Sequence, residues 1–119
     1  MTVLTQGIQP LEFLISEATG LRSRDQETVT VAGAVALPSG TVLGRITASG
    51  KLVKYSDAAA DGSQAAVGVL INPCEGVNGD YKRVVLTRDC EVIGAMLNGG
   101  AGVDANGKAD LKALGIIVR

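Results

Sequence analysis

Short apolar runs and alternations, separated by polar turns, occupy most of the chain after residue 27. Residues 28–31 alternate in polarity, as in a strand with one buried face. Gly44 interrupts an apolar run, which predicts a bulge or a close backbone approach. The other predicted strands are residues 41–47, 51–55, 66–71, 81–88 and 91–97.

The C-terminal segment carries helix signals followed by a strand signal. Asp104 is a typical N-cap and predicts a short helix over residues 105–114. An Asn-Gly pair in the first turn leaves a start nearer Lys108 as an alternative. Gly115 stands where glycine commonly ends a helix, and a terminal strand is predicted over residues 115–118.

Residues 1–27 fit neither the helical nor the strand period. Their apolar side chains include Leu11, Phe13, Leu14, Ile15 and Leu21. Pro10 and Gly20 interrupt the segment, and a polar run over residues 22–27 follows. We predict an extended N-terminal arm over residues 1–27 and a β-rich domain over residues 28–119. The alternative is an ordinary first strand packed on its own domain.

The fold class predicted from these elements is α+β and β-dominated: a small β-rich domain with one short C-terminal helix and an extended N-terminal arm. Residues 98–102 contain three glycines and predict a flexible loop. A chain of 119 residues has room for one core, which must be aliphatic because there is one Phe, two Tyr and no Trp. We therefore expect oligomer contacts to add stability.

The charge pattern limits the classes of partner. Eleven basic residues balance twelve acidic ones without a basic stripe, so binding through nucleic-acid phosphates is not expected. No apolar run approaches the roughly 20 residues that a membrane span requires. The first residues lack a basic region followed by an apolar one, so we expect no signal peptide and no membrane partner.

The residues available for chemistry are few. The chain has no histidine, which removes the commonest general base and metal ligand at neutral pH. Cys74 and Cys90 lack a histidine to complete a zinc site and are expected to be reduced, buried thiols. The carboxylate pairs are Asp57 with Asp61 and Asp89 with Glu91. Both pairs lie in or beside predicted turns, so we predict no catalytic, cofactor-binding or metal site and no enzyme activity.

Lys51 supports one alternative from another class of protein. It follows a hairpin turn, as does the modified lysine of lipoyl and biotinyl carrier domains, which are also small and β-rich. The flanking residues do not match the carrier pattern, because Lys51 stands in Gly-Lys-Leu. A solvated lysine at the start of a strand is the favoured interpretation.

Residues 50–70 have an order of features that is more specific than any single motif. They contain Lys-Leu-Val, then Tyr55 two residues later, an Asp-Gly turn and Ala-Val-Gly-Val-Leu. This block resembles the family of the head decoration protein D of bacteriophage lambda. The departures are three alanines at residues 58–60 and a tyrosine where the lambda protein has tryptophan. The other similar segments are residues 12–18, 22–25 and 113–118.

The resemblance implies a non-catalytic virion protein. Family members are trimers at the local threefold positions of the expanded phage head, where they clamp neighbouring major capsid subunits. The implied location is the capsid surface of a phage or prophage-encoded virion, after synthesis in the cytoplasm of the bacterial host. Another trimeric component of the virion, such as a tail protein, is a further alternative.

The resemblance also implies that the arm becomes ordered on the capsid by adding a strand to a capsid β-element. Ordering some 20 residues costs more free energy than the burial of five apolar side chains returns, so a partner's strand edge is required. The residues expected to bind the capsid are Leu11, Phe13, Leu14, Ile15, Arg22 and Arg24. A chain that lacks residues 1–25 is expected to fold.

Overall fold

The strand-forming segments build two sheets in the computed structural model, which describes residues 13–18 and 22–119. The strands in these residues are β1 (Leu14–Glu17), β2 (Arg24–Val31), β3 (Val42–Arg45), β4 (Leu52–Lys54), β5 (Ala66–Leu70), β6 (Gly79–Leu86), β7 (Cys90–Val92) and β8 (Ile116–Val118). A 3₁₀ segment, Gly94–Gly100, and the helix α1, Ala105–Ala113, lie between β7 and β8. The β-dominated α+β prediction is confirmed.

Five strands form a closed barrel in the order β2-β4-β3-β5-β6. The longest pairing is antiparallel, between β2 and β6, and runs from Arg24 opposite Leu86 to Val31 opposite Gly79. A short parallel pairing of β2 with β4, at Val29 opposite Leu52, completes the barrel. Because the barrel is closed, each of its five strands has a partner strand on both sides.

The remaining strands form a second, open sheet in the order β1-β7-β8. Strand β8 runs parallel to β7, and β1 runs antiparallel to β7 on the other side. A register shift between Leu14 and Ser16 marks a bulge in β1. In contrast to the barrel, this sheet has an edge strand at each end among residues 13–18 and 22–119.

Two clusters of buried side chains form the core. One fills the barrel with aliphatic residues such as Leu43, Leu52 and Leu70. The other lies between the barrel, α1 and the open sheet, and contains Phe13 and Tyr55 among aliphatic neighbours. The predicted aliphatic core is thus confirmed, and its two fully or nearly buried aromatic side chains, Phe13 and Tyr55, lie where the two sheets meet.

Cys74 and Cys90 are both buried and unbonded to each other, as predicted. Burial is the main cause that raises the pKa of the Cys90 thiol to about 11, and it also raises the pKa of Cys74. Both side chains therefore stay protonated at neutral pH and pack as small apolar groups.

Gly44 is required by the close approach of another segment. A Cβ atom at this position would lie 2.4 Å from the carbonyl oxygen of Ser63. The β3–β5 register shifts next to this glycine, between Leu43 and Gly44. The predicted bulge and close approach are both confirmed.

The strand predicted over residues 91–97 is wrong beyond Val92. The chain turns into the 3₁₀ segment, in which Asn98 and Gly99 both have positive φ angles. The Asn98 side chain accepts a hydrogen bond from the Val42 amide at 2.9 Å and donates one to the Gly102 carbonyl at 2.8 Å. Residues 98–102 were predicted to be a flexible loop, and these two bonds instead tie that segment to the barrel and to the following turn.

The helix α1 begins at Ala105, directly after the predicted cap, and not near Lys108. The carboxylate of Asp104 accepts a hydrogen bond from the Gly107 amide at 2.7 Å and one from the Tyr55 hydroxyl at 2.8 Å. Burial, followed by the bond to Asp104, raises the pKa of that hydroxyl. Gly115 ends the helix region with a φ of +85°, as predicted.

The double role of Asp104 gives a stability prediction. Asp104→Ala removes the helix cap and the acceptor for Tyr55, and we expect it to lower the free energy of unfolding by about 1–3 kcal/mol. Asp104→Asn is the matched control, because asparagine caps helices about as well and keeps an acceptor oxygen. Chemical denaturation measures both variants, and equal losses would contradict a capping role.

Candidate functional site

The N-terminal segment is the candidate site, and the structure describes part of it. Residues 24–27 begin β2, and β1 forms one edge of the open sheet. Leu11 lies outside the described residues. The arrangement of β1 is that of a strand packed on its own domain, which the sequence left as the alternative to a free arm. The division at residue 27 as a functional boundary stays a prediction.

Phe13 holds the start of β1 against the domain. Its side chain is fully buried, and its ring lies 3.2 Å from the position that a Cβ of Gly40 would occupy. The Phe13 carbonyl accepts a hydrogen bond from the Ile93 amide at 2.7 Å. Direct contact between Phe13 and a capsid would therefore require β1 to leave its sheet.

Leu14 and Ile15 differ in their surroundings, as consecutive residues of a strand do. Leu14 is half-buried and packs against the core that contains Phe13. Ile15 is 49% exposed and is one of four large aliphatic side chains that the described residues leave exposed. Beside it, the Ser16 hydroxyl donates a hydrogen bond to the Glu91 carboxylate at 2.9 Å. An edge strand with an exposed aliphatic residue is suited to adding a partner's strand.

Arg24 is bound within the domain. Its guanidinium donates two hydrogen bonds to the Glu17 carboxylate, one of them at 2.9 Å, and so links β1 to β2. The fully buried Ser23 donates its hydroxyl to the same carboxylate. The Arg24 bonds, followed by the Ser23 bond, hold the pKa of Glu17 below its usual value. The sequence did not predict this link, because it joins strands of two different sheets and no local pattern specifies their contact.

Arg22 is exposed at the surface. Its backbone carbonyl accepts a hydrogen bond from the Arg88 guanidinium, which also pairs with Asp25. Among the described residues, the Arg22 side chain forms no ion pair. The structure thus leaves Arg22 and Ile15 accessible, whereas it commits Phe13 and Arg24 to the domain.

The Lys51 ammonium forms an ion pair with Asp80 at 2.6 Å.

In residues 13–18 and 22–119, no group of three or more side chains of the metal-binding types lies close enough together to hold a metal ion. No described helix is long and apolar enough to cross a membrane.

A second surface feature lies at one end of the barrel. A recess of about 370 Å³ is lined by Thr30, Ala32, Val35, Leu37, Val53 and Lys54. Val35 and Val77 are the most exposed large aliphatic side chains in the described chain. A hydrogen bond of 2.7 Å from the Ala34 amide to the Asn78 side chain joins the two loops that carry them. The joined loops place an apolar patch beside the recess.

An unpaired edge strand and exposed aliphatic side chains on a loop are features that partner proteins commonly cover. The sequence model of the family described as Bacteriophage lambda head decoration protein D matches residues 3–116. The chain belongs to this family of phage head decoration proteins, whose members are structural components of the virion capsid. No curated protein sequence matches the chain.

The contrast between Phe13 and Ile15 can be measured. Phe13→Ala should lower the free energy of unfolding by about 3–5 kcal/mol, because it empties a buried site. Ile15→Ala, the control two residues away, should change it by less than about 0.5 kcal/mol. Similar losses in urea denaturation would show that β1 does not pack as described.

The Glu17 link predicts a dependence of stability on pH. Because the folded pKa lies below the ordinary 4.5, the bonds to Arg24 and Ser23 stabilise the fold fully above pH 4.5. This stabilisation is lost as the pH falls through the folded pKa. Glu17→Gln should therefore be less stable than the wild type at neutral pH, and the gap should close in acid. A constant gap across the acid titration would contradict the assignment.

Proposed function

We propose that this protein binds the outside of the expanded phage head as a homotrimer and clamps neighbouring major capsid subunits, partly through its N-terminal arm. The observation that carries the proposal is the family match, which begins at residue 3 and so includes the segment ahead of β1. The assembly state and the clamping role are the parts that need experiment.

The structure supports a division of labour within the arm. Phe13, Leu14 and Arg24 hold β1 on the domain, so that the segment before it starts from a fixed place. Leu11, Ile15 and Arg22 are the residues that we propose contact the capsid. A short anchored strand costs less entropy to extend along a partner than a wholly free arm, because its first residues are already ordered.

The apolar patch at Val35 and Val77 supports self-association. Two large aliphatic side chains that are more than half exposed gain free energy when a second copy covers them. Head-to-tail contacts of this kind close into a ring when the rotation is threefold. Three arms on one trimer then raise the overall affinity, because binding of the first raises the effective concentration of the others.

The decisive test compares the binding of four proteins to expanded, undecorated heads by cosedimentation. The truncation that tests the arm removes residues 1–12. Removal of residues 1–25 would also delete the buried Phe13 and the start of β2. A chain beginning at Phe13 should fold, remain trimeric and bind heads at least tenfold more weakly. The double variant Ile15→Asp, Arg22→Glu should bind more weakly than the wild type for the same reason.

Lys82→Glu is the matched control, since Lys82 is exposed on the barrel strand β6 and should leave head binding unchanged. Light scattering on the same samples measures the assembly state. A protein that is monomeric and does not bind heads would overturn the proposal. If the protein is a trimer that binds tails and does not bind heads, its location is elsewhere in the virion.

A further inference from the structure

The outer edge of β8 is a second unpaired strand edge on this domain, at the opposite end of the open sheet from the arm. Strand order places β8 last, and no described strand pairs with its outer side. On the inner side, Gly115 accepts a hydrogen bond from the Cys90 amide, and the Arg119 amide donates one to Val92. In a parallel ladder with this register, the backbone groups of Ile117 also face β7.

The alternation of a strand then directs the N–H and C=O groups of Ile116 and Val118 away from β7. Neither residue has a backbone hydrogen bond to a described residue on that outer side. These four groups form the hydrogen-bonding pattern that a further strand would complete.

A recess of about 210 Å³ lies along this edge, lined by Lys108, Lys112, Ile117 and Val118. Ile117 and Val118 are neighbours and point to opposite faces of the sheet, so a recess that touches both lies at the strand edge. The chain reverses at Gly115, which brings α1 beside β8. The recess therefore has an apolar strand on one side and a helix on the other.

The helix side of the recess is positively charged. Lys108 and Lys112 are exposed, and neither forms an ion pair within the described part of the chain. Like charges four residues apart on a helix repel each other, so this pair is mildly unfavourable in the isolated domain. The helix dipole stabilises a cation in the last turn, where Lys112 lies, but not one further from the C-terminal end, such as Lys108. The arrangement is complementary to a negatively charged occupant.

We propose that the β8 edge binds an extended acidic segment of the capsid shell protein as an added strand, in a contact separate from the N-terminal arm. Residues four apart on a helix are separated by about 6 Å along its axis, and alternate residues of a strand by about 6.6 Å. A strand with two carboxylates separated by one residue would therefore align with Lys108 and Lys112. Its backbone would complete the hydrogen bonds of Ile116 and Val118.

The sequence argues against the chain's own N-terminal residues as this occupant. Residues 1–12 carry a single acidic side chain, Glu12, and so lack the paired carboxylates that the two lysines call for. Residues 25–27 and 89–91 do carry two carboxylates separated by one residue, but they lie in or beside strands that are already paired within the domain. We therefore assign the complementary segment to a different protein. This identification of the partner rests on the proposed function, because that function supplies the capsid shell as the surface that the domain meets.

The first test is independent of capsids. The ¹⁵N-labelled full chain is titrated with the peptide Thr-Glu-Val-Glu-Val-Thr, and separately with Thr-Lys-Val-Lys-Val-Thr as a charge-reversed control. We expect amide shifts at residues 116–118 and at both lysines with the acidic peptide alone. Lys108→Glu combined with Lys112→Glu should weaken acidic-peptide binding roughly tenfold. Absence of shifts at residues 116–118 would overturn the proposal. The role left for the lysines would then be to prevent edge-to-edge aggregation.

The second test separates edge pairing from charge alone. Val118→Pro removes an amide that faces outward, so the variant should keep its fold and lose peptide binding. Ile117→Pro removes an amide that faces β7, so it should lose stability instead. If Val118→Pro unfolds, the lysine variants still decide the question, because their side chains are exposed. Unchanged peptide binding by a folded Val118→Pro protein would rule out an added strand.

Cosedimentation with expanded heads links the edge to the capsid. The double lysine variant should bind heads more weakly than the wild type, whereas Lys82→Glu should not. If the wild type binds heads and the double variant binds equally well, this inference fails and the proposed function stands. If the wild type ignores heads, the proposed function fails, whatever the peptide result. Loss of self-association in the double variant would identify another copy as the occupant and contradict the proposal.

Discussion

Burial of Phe13 beneath Gly40 is the contact on which the functional half of this molecule depends. The chain has one phenylalanine, and this side chain lies where the open sheet, the barrel and α1 share a core. A large aromatic side chain contributes more buried area than any aliphatic residue around it. By fixing the start of β1, it also determines which neighbouring side chains of that strand stay exposed.

The two sheets divide stability from recognition. The barrel pairs its strands with one another all the way round and so presents no edge for a partner. The open sheet ends in β1 on one side and β8 on the other, with β7 between them. Both edges can accept strands, and the two differ in chemistry: β1 exposes an aliphatic side chain, whereas β8 lies beside two lysines. In our proposal, each of the two edges binds a separate segment of the shell.

The arm residues illustrate why a family resemblance does not assign roles one by one. Six residues were expected to act together, but the structure commits Phe13 and Arg24 to internal contacts and leaves Ile15 and Arg22 accessible. Sequence shows which residues are apolar or charged, and it does not show which of two available partners each one meets. For Arg24 the internal partner, Glu17, offers a two-bond geometry that fits a guanidinium.

The features that the sequence determined are those with local causes. Asp104 caps the helix that follows it and Gly115 ends it, because each depends on the backbone within a few residues. The family, too, could be inferred from a block of some 20 residues. Tertiary structure alone decided the closure of the barrel at Val29, the 3₁₀ segment tied by Asn98, and the two open edges. These arise from pairings between distant parts of the chain, whose free energy depends on burial and register that no local pattern specifies.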